Sequence, residues 1–311
     1  MKIILTAIAF IFSTMVSAAA MPLNKMVVFG DSLSDNGNLY EYMKHQLPVS
    51  PPYFEGRFTN GPVWVELIMK SYYPMDSQDH LLDYAFGGAG VLEEEDSDDG
   101  LFTLHREMDS YFLAHQDKAD EQSMFVLWIG SNNYLAVPDD VEKSLDDVNL
   151  GIQHGLQRLV DKGAKYITVV DLPNLGNTPA ARDFDAVDEL TYLSKQHNLR
   201  LEKTVHDFQS RYPDIHWFYL DVNVTFEDMI LHPETYGLTN VTDTCYEEAV
   251  RKSGQKSVLK MVSSVKIKRM NRSGVCDGFL FFDPVHPSAV IHRLIAERTK
   301  ILFDEQNVIF E

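Results

Sequence analysis

A serine near one end of the chain and an aspartate–histidine pair near the other are the groups whose types and spacing could do covalent chemistry. The serine lies in Phe29-Gly30-Asp31-Ser32-Leu33-Ser34-Asp35, where the apolar run Met26 to Phe29 breaks at a glycine and a helix-compatible stretch follows. A strand that stops in this way presents a serine hydroxyl at the carboxyl edge of a sheet, where α/β proteins place their chemistry. Near the other end, Asp283-Pro284-Val285-His286 sets a carboxylate three residues before an imidazole. Along one turn the acid can hold one ring nitrogen, leaving the other to take the proton of Ser32. Serine alone is a weak nucleophile at neutral pH, so the attack needs all three residue types. The chemistry implied is that of a serine hydrolase, which requires no metal and no cofactor.

Two further glycine turns lie between these ends. Asp83-Tyr84-Ala85-Phe86-Gly87-Gly88-Ala89 follows a short apolar segment, and Trp128-Ile129-Gly130-Ser131-Asn132-Asn133 follows the strand-like run Met124 to Ile129. Acyl transfer needs donors for the oxyanion of a tetrahedral intermediate, and losing one costs about 2.7–4 kcal/mol of barrier. Glycine lets a backbone N–H approach a substrate closely, and asparagine supplies a neutral donor. Taken singly, each residue has a structural use: Ser32 as a helix cap, Asn132 and Asp283 in turns, Gly88 as a bend. The ordered set favours chemistry.

The elements that must position these groups alternate between strand and helix. Val141, Leu145, Val148, Ile152, Leu156 and Leu159 recur at helical spacing, and Gly163 stops that helix. Tyr166 to Asp171 reads as a buried strand, Ala186 to Tyr212 as a long amphipathic helix with Leu190, Leu193, Leu201, Val205 and Phe208 inward, and Ile215 to Leu220 as another strand. Phe279 to Phe282 reads as a strand before the histidine, and Ser288 to Phe303 as a closing helix. Alternation of this kind predicts a parallel sheet with helices on both faces, and a shared sheet edge would bring serine and histidine together.

Four blocks in the order Ser, Gly, Asn, Asp-x-x-His resemble the SGNH, or GDSL, hydrolase family. The resemblance implies a flavodoxin-like three-layer α/β/α fold around a central parallel sheet. It makes Ser32 the nucleophile, His286 the general base and acid, and Asp283 its orienting partner. The Ser32 N–H, the Gly88 N–H and the Asn132 side chain would form the oxyanion hole. Asp83 stands where the family usually has asparagine, and Asn133 where aspartate is common; both departures bear on local hydrogen bonding. The block from Pro51 to Trp64, together with Asp171-Leu172-Pro173-Asn174-Leu175-Gly176, Gly237-Leu238-Thr239, Cys245-Tyr246 and Cys276-Asp277-Gly278, is similar to secreted bacterial GDSL phospholipases. That subgroup includes lysophospholipase A and glycerophospholipid–cholesterol acyltransferase enzymes. It implies a lysophospholipid or phospholipid substrate and an acyl-enzyme that passes its acyl group to water or to an alcohol such as cholesterol. A short-chain or carbohydrate esterase, and a lipid-binding toxin with an inactive site, are the rival readings. Phe54, Phe58, Trp64 and Phe86 could help line an acyl groove, with ordinary core as the safer default.

Composition fits an exported enzyme. The 311 residues are 45% hydrophobic, enough for one large α/β domain over residues 21–311. Lys2, the apolar run Ile3 to Val16 and Ser17-Ala18-Ala19-Ala20 read as a signal peptide over residues 1–20, cleaved after Ala18 or Ala20. Export would carry the protein to the periplasm or outside the cell. There, Cys245 and Cys276, the two cysteines of the chain, most simply pair as a disulfide, with two buried thiols as the rival reading. The loop so closed carries Arg251, Lys252, Lys256, Lys260, Lys266, Lys268, Arg269 and Arg272 with no acid among them, in a chain of formal charge −19. A solvated loop is the plain interpretation; contact with an anionic membrane surface, or trimming by an activating protease, is the sharper one. The run from Glu93 to Asp99 lacks a calcium-loop pattern and reads as a solvated acidic loop. The acidic balance disfavours nucleic acid.

Overall fold

The computed structural model describes residues 22–91, 102–245 and 276–311. The expected leader, the acidic run and the basic run between the cysteines lie outside the described residues.

Five parallel strands form the central sheet: β1 (Lys25–Gly30), β2 (Leu81–Asp83), β3 (Ser123–Trp128), β4 (Tyr166–Val170) and β5 (His216–Leu220), in the order β2-β1-β3-β4-β5. β1 and β3 pair over six positions, from Lys25 opposite Ser123 to Gly30 opposite Trp128. Every residue of β3 and β4 is buried, as expected of strands covered on both faces. The chain leaves β1 to one side for β2 and returns to the other for β3. Such an order has a switch point between β1 and β3, and ligands bind at the carboxyl ends of the strands there. Ser32 follows β1 and Asn132 follows β3, so both stand at that point.

The helices sort by the crossovers they make. α1 (Asn38–Tyr42) and α2 (Trp64–Tyr72) lie between β1 and β2, α3 (Leu104–Ala114) between β2 and β3, α4 (Val141–Asp161) between β3 and β4, and α5 (Pro179–Asp183) and α6 (Val187–Arg211) between β4 and β5. α7 (Val222–Leu231) follows β5, and α8 (Ala289–Glu305) closes the fold. α2 packs against α8, while α3, α4 and α6 pack in series. The helix expected over Val141 to Leu159 buries five of its six spaced residues, Val141 being half-buried, and Gly163 follows it at φ 102°, which favours glycine. α6 buries Leu190, Leu193, Leu201, Val205 and Phe208, the face read from sequence.

One expectation is corrected. The strand before the histidine, β7 (Phe279–Phe281), is not part of the central sheet; it pairs in parallel with β6 (Asn240–Thr244) in a separate two-stranded sheet. Serine and histidine therefore do not meet along one sheet edge. The histidine arrives on a loop that turns back over the carboxyl end of the central sheet, held where Ser288 N donates to Leu280 O (2.9 Å) and Ser288 Oγ to Phe279 O (2.6 Å).

Cys245 and Cys276 form a disulfide with a Cα–Cα distance of 5.3 Å. Both are buried in a small cluster with Leu39, Tyr53, Phe58 and Phe282, separate from the main core.

Candidate active site

The turn after β1 is built around two buried carboxylates. Asp31 accepts from the N–H of Leu33 (3.0 Å) and places Ser32 at the turn's crest. Asp35 accepts from the N–H groups of Gly37 (2.8 Å), Asn38 (2.6 Å) and Leu39 (3.2 Å), satisfying the first turn of α1, and from Gly87 N–H (2.7 Å) in the second glycine turn. One side chain thus ties the serine turn to the Gly87-Gly88 turn. Burial pushes both Asp31 and Asp35 up to about 6, against the pull of these N–H groups.

The residues that sequence reading placed at opposite ends of the chain meet here. With the Nδ1–H tautomer, Ser32 Oγ donates to His286 Nε2 (2.8 Å) and His286 Nδ1 donates to Asp283 Oδ2 (2.6 Å). Ser32, Asp283 and His286 are all buried. Asp283 Oδ1 accepts from the N–H groups of Val285 (2.9 Å) and His286 (2.7 Å), and Oδ2 also accepts from the Tyr53 hydroxyl (2.7 Å). Burial would raise the Asp283 pKa, but the neighbouring His286 and these donors outweigh it and hold the acid below its ordinary value. Asp283 is therefore ionised at neutral pH and suited to stabilise positive charge on the ring.

Of the three expected oxyanion donors, Ser32 and Asn132 line the cleft at the switch point, while Gly88 lies in the turn after β2 that Asp35 ties to the serine turn and is not among the residues that line the cleft. Asn132 Nδ2 donates one hydrogen to Ala89 O (2.8 Å), which fixes its carboxamide and leaves a second hydrogen to give. Gly88 has φ 82°, a left-handed conformation. Among the described residues, no acceptor takes the backbone N–H of Ser32 or of Gly88. Of the two departures from the family pattern, Asn133 accepts from Val91 N–H (2.9 Å), which an aspartate would also do. Asp83 accepts from Asn36 N–H (3.1 Å) and Ala85 N–H (2.9 Å), and burial together with the charge of Asp35 pushes it well above its usual range.

Ser32, Asn132 and His286 open into a cleft of about 600 Å³, counting its mouth. Its apolar wall is Leu33, Leu135, Leu175, Phe226, Ile230 and Phe281; Ser131, Asn174, Asn177 and Thr178 add neutral polar groups, and among the described residues no lysine or arginine lines it. Phe54, Phe58, Trp64 and Phe86 do not line the cleft. Phe58 lies against the His286 ring (5.1 Å between centroids), Trp64 donates to Ser34 Oγ (3.0 Å), and Phe86 stacks on Phe102 (4.2 Å). Phe226 and Ile230 share one face of α7, a periodicity visible in the sequence, but periodicity does not separate a pocket wall from a core face.

Sequence reading also missed what the Pro51–Trp64 block does. Besides the Tyr53 bond, Thr59 Oγ1 donates to Pro287 O (2.9 Å) and Asn60 Oδ1 accepts from Ala289 N–H (2.9 Å). From the other side, Ala180 N–H donates to Pro284 O (2.9 Å). The Asp283–His286 loop is clamped between these two segments.

Comparison with known proteins agrees with the geometry. Residues 26–299 match the family model described as GDSL-like Lipase/Acylhydrolase. The phosphatidylcholine-sterol acyltransferase of Aeromonas hydrophila is 28% identical over 91% of this chain and 91% of its own length. The thermolabile hemolysin of Vibrio parahaemolyticus is 28% identical over 90% of this chain, which spans 64% of the hemolysin. Among solved structures, a G-D-S-L family lipolytic protein from Veillonella parvula covers 90% of this chain and 98% of its own at a TM-score of 0.46 and 13% identity. The chain is a member of the GDSL-like lipase/acylhydrolase family.

Proposed function

We propose that this protein is an exported serine esterase that hydrolyses acyl esters of lysophospholipids and phospholipids and can pass the acyl group to an alcohol such as cholesterol. The observation that carries the reading is the Ser32–His286–Asp283 hydrogen-bonded chain opening directly into an apolar cleft. Ser32, deprotonated by His286, attacks the ester carbonyl. The oxyanion is held by the N–H groups of Ser32 and Gly88 and by the Asn132 side chain. His286 then returns its proton to the departing alcohol, and the acyl-enzyme is released by water or by a second alcohol. An acyl chain lies against Leu135, Leu175, Phe226, Ile230 and Phe281. That apolar wall suits an acyl chain better than a phosphate, which stays toward the mouth.

Support for a lipid ester, and for transfer as a second outcome, comes from the similarity to an enzyme named phosphatidylcholine-sterol acyltransferase. The disulfide is compatible with export. The basic run between the cysteines supplies the contact with a lipid surface and the site for an activating protease, a part of the proposal that rests on sequence alone.

The test is to incubate the purified protein and its Ser32→Ala variant with lysophosphatidylcholine, with and without cholesterol, and to measure fatty acid and cholesteryl ester. Serine-dependent fatty acid supports the esterase, and serine-dependent ester adds the transferase. Product only after nicking with a Lys/Arg-specific protease identifies a precursor. Activity confined to acetyl or butyryl esters replaces the lipid reading with a short-chain esterase.

A further inference from the structure

Asp283 Oδ2 receives two donors at once: His286 Nδ1 at 2.6 Å and the Tyr53 hydroxyl at 2.7 Å. An ionised carboxylate only accepts, so the tyrosine hydroxyl must donate. We propose that Tyr53 is a positioning residue for the reaction, one that fixes the Asp283 carboxylate and sets how strongly it draws positive charge onto His286. The inference rests on the serine-esterase reading of the same site.

A carboxylate oxygen shared between two charge-assisted donors pulls less on each than on one alone. Tyr53 thereby moderates the Asp283–His286 bond while locking the orientation of the acid. The hydroxyl is delivered rigidly. Tyr53 is buried, its ring edge-on to Phe282 (5.2 Å) and Phe58 (6.1 Å), and Phe58 in turn lies against the His286 ring. Thr59 and Asn60 hold the far side of the same loop. The segment from Tyr53 to Asn60 is thus a cradle for the histidine loop, with one hydroxyl reaching the charged atoms themselves.

Tyr53→Phe keeps the ring and removes only that hydroxyl. Its rate on a soluble p-nitrophenyl ester is compared with wild type between pH 5 and 9, alongside Asp283→Asn and the double variant. Losing a bond to a charged acceptor strengthens the remaining pull on His286. The acid limb of kcat/KM should then move up by about half to one pH unit. With orientation loosened, kcat should fall about three- to tenfold and KM hold within about twofold. In the Asp283→Asn background the same substitution should cost nothing further, because Tyr53 acts through Asp283. Superimposable pH profiles, or a loss that is additive in the double variant, overturn the proposal. The hydrogen-bonded His286 Nδ1 proton, observed by NMR, gives a readout that needs no turnover: it should shift in Tyr53→Phe, and an unmoved resonance is equally fatal. A wild-type protein that turns over no ester would refute the esterase reading instead, and the resonance would still decide the role of Tyr53.

Discussion

Asp171→Asn is expected to stabilise the protein progressively as pH rises. Asp171 directly follows β4, and its Oδ1 accepts from the N–H groups of Val222 (2.7 Å) and Asn223 (3.1 Å) at the start of α7. Burial, reinforced by the nearby charge of Asp221, pushes it up to about 8. An unfolded chain releases this proton near its ordinary value of 3.8. A raised folded pKa gives stability that is fully present below the unfolded value and is lost as pH climbs through the folded one. At about 1.4 kcal/mol per pH unit for one proton, the loss is about 1 kcal/mol between pH 7 and 8, and about 3–4 kcal/mol between pH 5 and 8. Asparagine has the shape of the protonated acid, keeps an oxygen for Val222 and Asn223, and does not titrate. The assay is urea unfolding of both proteins at pH 5, 6, 7 and 8. Taking their difference cancels contributions shared with Asp31, Asp35 and the other titrating groups. That difference should grow with pH by the amounts given, whatever its constant offset from the altered contact with Asn198, whose Nδ2 donates to Asp171 Oδ2 (3.3 Å). A difference flat to within about 0.5 kcal/mol across the range would refute the claim that Asp171 is folded as a neutral acid. The matter bears on function because α7 carries Phe226 and Ile230 into the cleft wall.

Asn132→Ala removes one oxyanion donor and should lower kcat about 10²- to 10³-fold with little change in stability, measured on the same soluble ester. Phe226→Ala enlarges the cleft wall and should shift the preferred acyl length upward across a p-nitrophenyl ester series; an unchanged optimum would place the acyl chain elsewhere. Replacing both cysteines by serine opens a loop of 31 residues' separation and should cost about 3–4 kcal/mol of stability in urea unfolding.

Much of the site was legible because its groups sit where strands end, and strand ends are announced by apolar runs breaking at glycine. Ser32, Gly88 and Asn132 lie in such breaks, Asp283 and His286 follow an apolar run that ends at Asp283-Pro284 instead, and β1, β3, β4, β5, α4, α6 and α8 fall close to the expected bounds. The partner of β7 was not legible: Asn240–Thr244 is polar and half-exposed, without the alternation that marks a strand over a core. The cleft wall was hidden for another reason. Leu135, Leu175 and Phe226 are apolar residues like any others, and only the fold decides which apolar residues face a cavity. Tyr53 lies 230 residues from the oxygen it touches, a separation that no local pattern encodes. Besides His286, His197 and His292 are buried, and burial pushes each down to about 3, so they are neutral packing groups at working pH.

The disulfide joins the two stretches of chain that flank residues 246–275, and it does so inside the cluster that contains Tyr53, Phe58 and Phe282. Considered as connectivity, the histidine loop and α8 are attached to the rest of the molecule twice, once by that stretch of backbone and once by sulfur. Either link suffices to keep the two parts in one covalent body. An uncut chain is therefore expected to retain His286 after reduction, and a cut chain to retain it while oxidised; only a molecule both cut and reduced becomes two separate polypeptides. Redox state thus acquires a meaning for this protein through backbone scission alone, a logical conjunction written into the placement of two cysteines.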